Sequence, residues 1–275
     1  MNFQKKLDNL IKKNNSLVCV GLDSDIDKIP QHLKKFKYPL FKFNKAIIDK
    51  TFDLVCSYKP NSAFYEVLGD KGIKELKMTA DYLHKKYPWI PIILDAKRAD
   101  IGNTNNGYAK FAFQYLGVDA ITIHPYLGVE AIKPFLEYKD KGIIILCRTS
   151  NKGAEEIQNL MIGKKPLYQI VAEKVVKDWN YNKNCLLVVG ATSPKELQEI
   201  RQTAKEMIFL VPGVGAQGGD LRAVIKAGLD SRNQGMIISA SRSIIFNSVK
   251  KDFAEKAREE AKRMQEEINY LKVRS

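Results

Sequence analysis

Three charged side chains of alternating sign stand together in the run from Ile92 to Thr104: Asp95, Lys97 and Asp100. The apolar residues Ile92-Ile93-Leu94 lead into them, and Gly102-Asn103-Thr104 follow. The spacing predicts a buried strand that ends in charge. Side chains at i and i+2 of a strand share a face, so Asp95 and Lys97 project side by side. Asp100, just past the strand end, is close enough in sequence to return toward Lys97. Two carboxylates around one ammonium are costly to desolvate, and a core built for stability alone would rarely choose them. The competing reading is an ion-pair network at a strand end, a common feature worth about 0–1 kcal/mol when exposed. The apolar lead-in and the Gly-Asn-Thr that follow favour an active site.

Such a site needs elements to position it. Short apolar runs recur at Leu17–Leu22, Leu54–Tyr58, Ile90–Leu94, Ala120–His124, Gly142–Cys147, Cys185–Val189, Ile208–Val211 and Met236–Ala240. Segments of helical period lie between them, among them Gly72–Lys86, Asn103–Leu116, Pro166–Asp178, Pro194–Ala204 and Asp220–Ala227, and Lys250–Lys272 closes the chain. Strands alternating with helices imply parallel pairing through right-handed crossovers. Eight such units predict an α/β fold, a (β/α)8 TIM barrel, and no linker-like break divides the chain, so residues 1–275 are expected to form one domain. The rival is an open doubly wound sheet. It lacks its glycine fingerprint here, because Gly21-Leu22-Asp23-Ser24-Asp25 follows the first strand.

Barrel enzymes carry their chemistry where the strands end. The predicted strands terminate in Asp23, Lys59, Asp95 with Lys97, Thr149 with Ser150, Pro212-Gly213, and Ser241-Arg242. Any one of these could be an ordinary loop residue. Together they describe one polar rim. The glycine-rich stretch Val211–Asp220 offers backbone N–H groups to an anion, and Arg242 can grip phosphate oxygens with paired hydrogen bonds. Phosphate frequently sits at the loops after strands seven and eight of such barrels.

Composition narrows the alternatives. A net charge of +14 favours anionic partners. The lysines, however, are scattered as pairs such as Lys5-Lys6, Lys34-Lys35 and Lys250-Lys251, which fits solvated helix faces better than a nucleic-acid stripe. Cys19, Cys56, Cys147 and Cys185 lie in or beside apolar runs without a C-x-x-C pair, and are read as buried reduced thiols. His32, His84 and His124 are too dispersed for a histidine metal site. Near the N-terminus Phe3, Leu7, Leu10 and Ile11 share one helical face opposite lysines, the pattern of a docked helix rather than of a signal peptide. No stretch is long enough to span a bilayer. The expectation is a cytoplasmic protein acting on a small molecule, with neither nucleic acid nor membrane as partner.

These residues together resemble the orotidine 5'-phosphate decarboxylase family, over nearly the whole barrel from Val18 to about Phe246. The most specific element is Asp95-Ala96-Lys97-Arg98-Ala99-Asp100-Ile101-Gly102-Asn103-Thr104, which matches the family's D-x-K-x-x-D-I-x-x-T signature. Val20–Asp23, Tyr58–Asn61 with Ala63–Glu66, Thr149–Asn151, Pro212–Gly219 and Ser241-Arg242 resemble further family elements in family order, in the longer bacterial and apicomplexan-type branch. Lys152 departs from that branch, which often has proline there.

The resemblance implies decarboxylation of orotidine 5'-phosphate to UMP in pyrimidine synthesis, with no cofactor and no metal. It implies that Lys97 protonates the carbon left by CO2, that Asp95 lies beside the substrate carboxylate, and that Asp100 orients Lys97. Asp23 and Lys59 would hold the ribose hydroxyls and join the charged network. Ser150 would read the pyrimidine edge, Gln217 and Arg242 would bind phosphate under a closing loop, and Pro212 and Ser241 would also contact the substrate. A homodimer with shared sites is implied too, Asp100, Ile101 and Thr104 reaching into the partner's site.

The chemistry suits such a network. Loss of CO2 from C6 leaves a carbanion without π-delocalisation, so the upper part of the roughly 8–23 kcal/mol that enzymes remove from a barrier is required. Without an electron sink, fixed charge must supply it. Two rival functions remain open at this point. A Mg²⁺-dependent sugar-phosphate decarboxylase or aldolase-like synthase would share the Asp-x-Lys-x-x-Asp strand, but Lys59 at the second strand end would repel the cation. A catalytically dead anion-binding protein would have no need of Asp95, Lys97 and Asp100 together.

Overall fold

The structure, a computed structural model, describes residues 1–214 and 219–274. Eight parallel strands form its centre: β1 Val18–Gly21, β2 Ser57–Lys59, β3 Ile93–Arg98, β4 Ala120–Ile123, β5 Gly142–Arg148, β6 Cys185–Val189, β7 Phe209–Pro212 and β8 Met236–Ala240. Each pairs with its neighbour in chain order, and β8 pairs with β1 at Val18↔Ile238, Cys19↔Ser239 and Val20↔Ala240. The circle closes between β2 and β3 through parallel bridges at Tyr58↔Ile92 and Asn61↔Asp95. This is the TIM barrel the alternation predicts, with helices between the strands.

Most strands are short and apolar because both of their faces are covered. Every residue of β1, β4, β6 and β8 is buried. The N-terminal helix Phe3–Asn14 buries Phe3, Leu7, Leu10 and Ile11, the face expected of it. It docks below the barrel. Lys6 pairs with Asp119 at 2.8 Å and the Phe3 amide donates to the Asp140 carbonyl, at loops that precede β4 and β5. The closing helix Phe253–Val273 packs its buried face against helix Pro39–Thr51, where Phe43 and Phe253 stack at 5.1 Å. The opposite rim, where the strands end, is left open. All four cysteines are buried and free. No helix among the described residues is long and apolar enough to cross a membrane.

Two strand readings need correction. The second strand is Ser57–Lys59 rather than Leu54–Tyr58, because Val55 and Cys56 form the buried approach to it. The third is Ile93–Arg98 rather than Ile90–Leu94, so Asp95 and Lys97 lie within the strand, while Asp100 follows it. A short antiparallel hairpin, Met161–Ile162 with Lys165–Pro166, is an additional element in the connection after β5.

Candidate active site

The C-terminal rim encloses a cavity of about 670 Å³. Asp23, Lys59, Asp95, Lys97, Ser150, Pro212, Ser241 and Arg242 all line it, so eight residues named from the sequence converge on one space. Asp100, Ile101 and Thr104 do not line it, and Gln217 lies outside the described residues.

Asp95 is the hub. Its Oδ2 accepts from Lys59 Nζ at 2.9 Å and its Oδ1 from Lys97 Nζ at 2.6 Å. The Thr122 hydroxyl donates to the same Oδ1 at 2.9 Å. Backbone bonds fix the residue from the β2 side: the Asp95 amide donates to the Pro60 carbonyl at 2.9 Å, and the Ser62 amide donates to the Asp95 carbonyl at 3.2 Å. Burial alone would raise the pKa of this carboxyl. The Lys59 ammonium, and after it Lys97, overcome that effect and hold it well below the ordinary carboxylate range. Lys59 is buried at the end of β2. Desolvation pulls its pKa down, but Asp95 and Asp23 more than offset this and keep it above the usual lysine value. Lys97 differs. Its side chain is 48% exposed, so its ammonium stands at the edge of the open cavity.

The charge order within one chain is therefore the reverse of the sequence expectation. One carboxylate, Asp95, lies between the Lys59 and Lys97 ammoniums, and Lys97 is not held between Asp95 and Asp100. Asp100 does not return to Lys97. Its carboxylate accepts from the amide of Ile101 at 2.7 Å, its own amide donates to Asn105 Oδ1 at 2.7 Å, and the residue is exposed. Asn105, itself buried, also ties this turn to the next crossover through the Ala131 carbonyl at 2.8 Å. Asp100, Ile101 and Thr104 thus face outward as a group, with Ile101 61% exposed.

Asp23 follows β1 and is held by its neighbours. The Tyr65 hydroxyl donates to the Leu22 carbonyl at 2.9 Å, and Ser24 Oγ donates to Asn44 Oδ1 at 2.5 Å. Asn44 in turn donates to Tyr65 at 2.9 Å. The frame leaves Asp23 Oδ1 buried with no protein partner among the described residues. A buried acceptor on a cavity wall calls for a donor from a ligand, such as a sugar hydroxyl.

Ser150 sits on a loop held by Gln158, whose Oε1 accepts from the Thr149 amide and whose Nε2 donates to Thr149 Oγ1, each at 2.8 Å. On the far wall Ser241 Oγ donates to the Gly21 carbonyl at 3.2 Å. The contact requires glycine, since a Cβ at position 21 would lie 2.7 Å from Ser241 Cβ. Arg242 is exposed at the cavity edge and forms no ion pair among the described residues. Its guanidinium is therefore available to an anion. The nearby turn carries Gly213 at φ 99°, a conformation that favours glycine, and the Gly219 amide donates to the Gly213 carbonyl at 3.2 Å.

Thr122 and Gln158 are functional candidates the sequence reading missed. Thr122 had a legible signal, being the one hydroxyl in the apolar run Ala120–Ile123 and facing opposite to Ile121 and Ile123. Gln158 had none, because only the folding back of its loop brings it to Thr149.

Comparison with known proteins agrees with this architecture. The family model described as Orotidine 5'-phosphate decarboxylase / HUMPS matches residues 16–259. The chain is 49% identical over 275 residues to the orotidine 5'-phosphate decarboxylase of Cellvibrio japonicus, covering 99% of this chain and 100% of that one. It is 48% identical over 268 residues to that of Christiangramia forsetii, covering 98% and 97%. The solved OMP decarboxylase of Leishmania donovani superposes with a TM-score of 0.87 at 38% identity, covering 99% of this chain and all of that one.

Proposed function

The chain belongs to the orotidine 5'-phosphate decarboxylase / HUMPS family, and from that membership we propose that it converts orotidine 5'-phosphate to UMP and CO2 in pyrimidine synthesis, without metal or cofactor. The observation that carries the finer reading is the Asp95 carboxylate held ionised between Lys59 and Lys97 at the edge of the cavity.

The phosphate sits at Arg242 and Ser241, with Pro212 and Gln217 completing that end. Ribose hydroxyls donate to the orphan oxygen of Asp23 and meet Lys59. Ser150 contacts the pyrimidine. This pose brings the C6 carboxylate against Asp95 and the Lys97 ammonium. The C6–carboxylate bond breaks, CO2 leaves, and the bonding electron pair stays on C6. Lys97 stabilises that developing charge and transfers one N–H proton to it, giving UMP and a neutral amine that regains its proton from solvent. The remote phosphate grip adds binding energy that orients the base.

Asp100 completes the network from a second copy of the chain. Its outward carboxylate, exposed Ile101, and Tyr126, 84% exposed on the next crossover, support a homodimer in which each subunit supplies Asp100, Ile101 and Thr104 to its partner. The chain is taken as one barrel domain. A Mg²⁺-dependent relative of the same fold is disfavoured by charge, because a cation at Asp95 would meet two ammoniums.

The test is absorbance of orotidine 5'-phosphate with purified protein, with and without EDTA, beside Lys97→Ala. Turnover unaffected by EDTA and abolished in Lys97→Ala, with UMP affinity largely kept, is expected. Loss of turnover on chelation would overturn metal independence, and comparable turnover in the variant would remove Lys97 from its role.

A further inference from the structure

The strand carrying Asp95 and Lys97 is irregular where the chemistry lies. Against β4, Ile93 pairs with Ala120 and Leu94 with Ile121, but the next pair is Arg98 with Ile123. Residues 95 to 97 of β3 therefore face Thr122 alone. Such a bulge takes backbone groups out of the ladder and re-aims side chains. Here it also places Lys97 at φ 47° and Ala99 at φ 138°, conformations that residues with a Cβ rarely adopt. Something must hold that backbone, and the amides it frees need acceptors.

One side chain meets both needs. Thr122, 1% exposed, accepts from the Ala96 and Lys97 amides, each at 3.0 Å, and donates to Asp95 Oδ1 at 2.9 Å. A hydroxyl has one proton and two lone pairs, so all of its capacity is committed to residues 95, 96 and 97. Thr122 is itself held on its other side, paired with Ile144 of β5. The barrel wall thereby passes its geometry to Asp95 and to the Lys97 backbone through one oxygen.

We propose that the Thr122 hydroxyl is the positioning group of this site, holding the Asp95 carboxylate and the Lys97 backbone in register for decarboxylation. The inference rests on the reading of Asp95 and Lys97 given above. The contacts at the phosphate and at Asp23 do not pass through Thr122, whereas the charges facing C6 do. Its loss should therefore appear in kcat and spare the affinity for UMP, which has no C6 carboxylate.

Thr122→Val keeps the shape and removes the hydroxyl; Thr122→Ser keeps the hydroxyl and removes the methyl. For Val, kcat should fall by about tenfold or more, with UMP affinity within about threefold of the parent, as expected when reacting groups are misplaced. Ser should stay within about threefold in both. Thr122→Ala repeats the comparison if Val does not fold. Unchanged kcat in a folded variant without the hydroxyl, or an equal loss in Ser, overturns the proposal. Failure of both hydroxyl-free variants to fold assigns the oxygen to the fold and overturns it as well. Parallel assays of the parent and Lys97→Ala separate this failure from failure of the underlying mechanism, which would show as an inactive parent or an active Lys97→Ala.

Discussion

Asp95 shows how one residue ties stability to chemistry. Its carboxyl titrates below the value near 3.9 of an unfolded aspartate, so the stabilisation is complete above about pH 4–5 and is lost only as pH falls through the lower folded value. Lys59 behaves in the opposite sense. Its folded pKa stands above the unfolded value of about 10.4, so its contribution holds below that value and fades as pH rises through the folded one. Asp95→Asn separates the two. Lys59 stays buried and loses its leading opposing charge, which should cost on the order of 3–5 kcal/mol. With only Asp23 left to oppose burial, Lys59 is expected to fall below its unfolded value, so that the unfolded state binds more protons than the folded one. The deficit relative to the parent should therefore shrink between pH 7 and about pH 9.5. Urea unfolding of both proteins at the two pH values measures it; a constant or growing deficit would show that Lys59 does not depend on Asp95. The sequence named both partners, since apolar runs ending in charge are visible. It did not give their charge order, because Lys59 and Asp95 are 36 residues apart and meet only when β2 closes against β3.

At the scale of elements, the eight strands were legible because a parallel barrel buries both strand faces and leaves short apolar runs between helices. Their ends were less so. The apolar run of the third strand stops at Leu94, where Asp95, Lys97 and Arg98 oppose strand propensity, yet the ladder resumes at Arg98 beyond the bulge. Positive φ at Lys97 and Ala99 contradicts local preference, a conflict expected at functional sites. Elsewhere the match between element and site depends on small residues. Gly190 follows β6, and a Cβ there would lie 2.7 Å from the Ser150 amide and 2.8 Å from its Cα. These neighbours are backbone and cannot swing aside. Gly190→Ala should therefore push the Ser150 loop and raise KM for orotidine 5'-phosphate more than it lowers kcat, because base contacts move while Asp95 and Lys97 stay. Steady-state kinetics decide it, and an equal fall in kcat with KM unchanged would place Ser150 away from the base.

The whole molecule answers the question that Asp100 poses. Within one chain the signature is split: Asp95 and Lys97 face the cavity, while Asp100, Ile101 and Thr104 turn to the outside. The helices that follow β3 and β4, Gly102–Lys110 and Gly128–Leu136, pack together through the Asn105–Ala131 bond. Ile101, Tyr126, Leu127 and Val129 are left exposed near their starts, an apolar surface suited to a two-fold contact. The sequence held every residue of this arrangement, but the outward turn of Asp100 within one chain depends on the bulge and on the bonds of Asn105, which no local pattern announces. If the site is shared, Lys97→Ala and Asp100→Ala homodimers should each be nearly inactive, because every site lacks one group. In a mixed dimer one site lacks both groups, while the other takes Lys97 from one chain and Asp100 from its mate. Mixing the two inactive proteins should restore activity, up to one working site per heterodimer. Differently tagged subunits allow exchange to be verified by sequential affinity capture before the assay. Exchanged subunits that remain at the parental background would show that Asp100 does not act across the interface, and that its outward carboxylate serves only the turn that carries it.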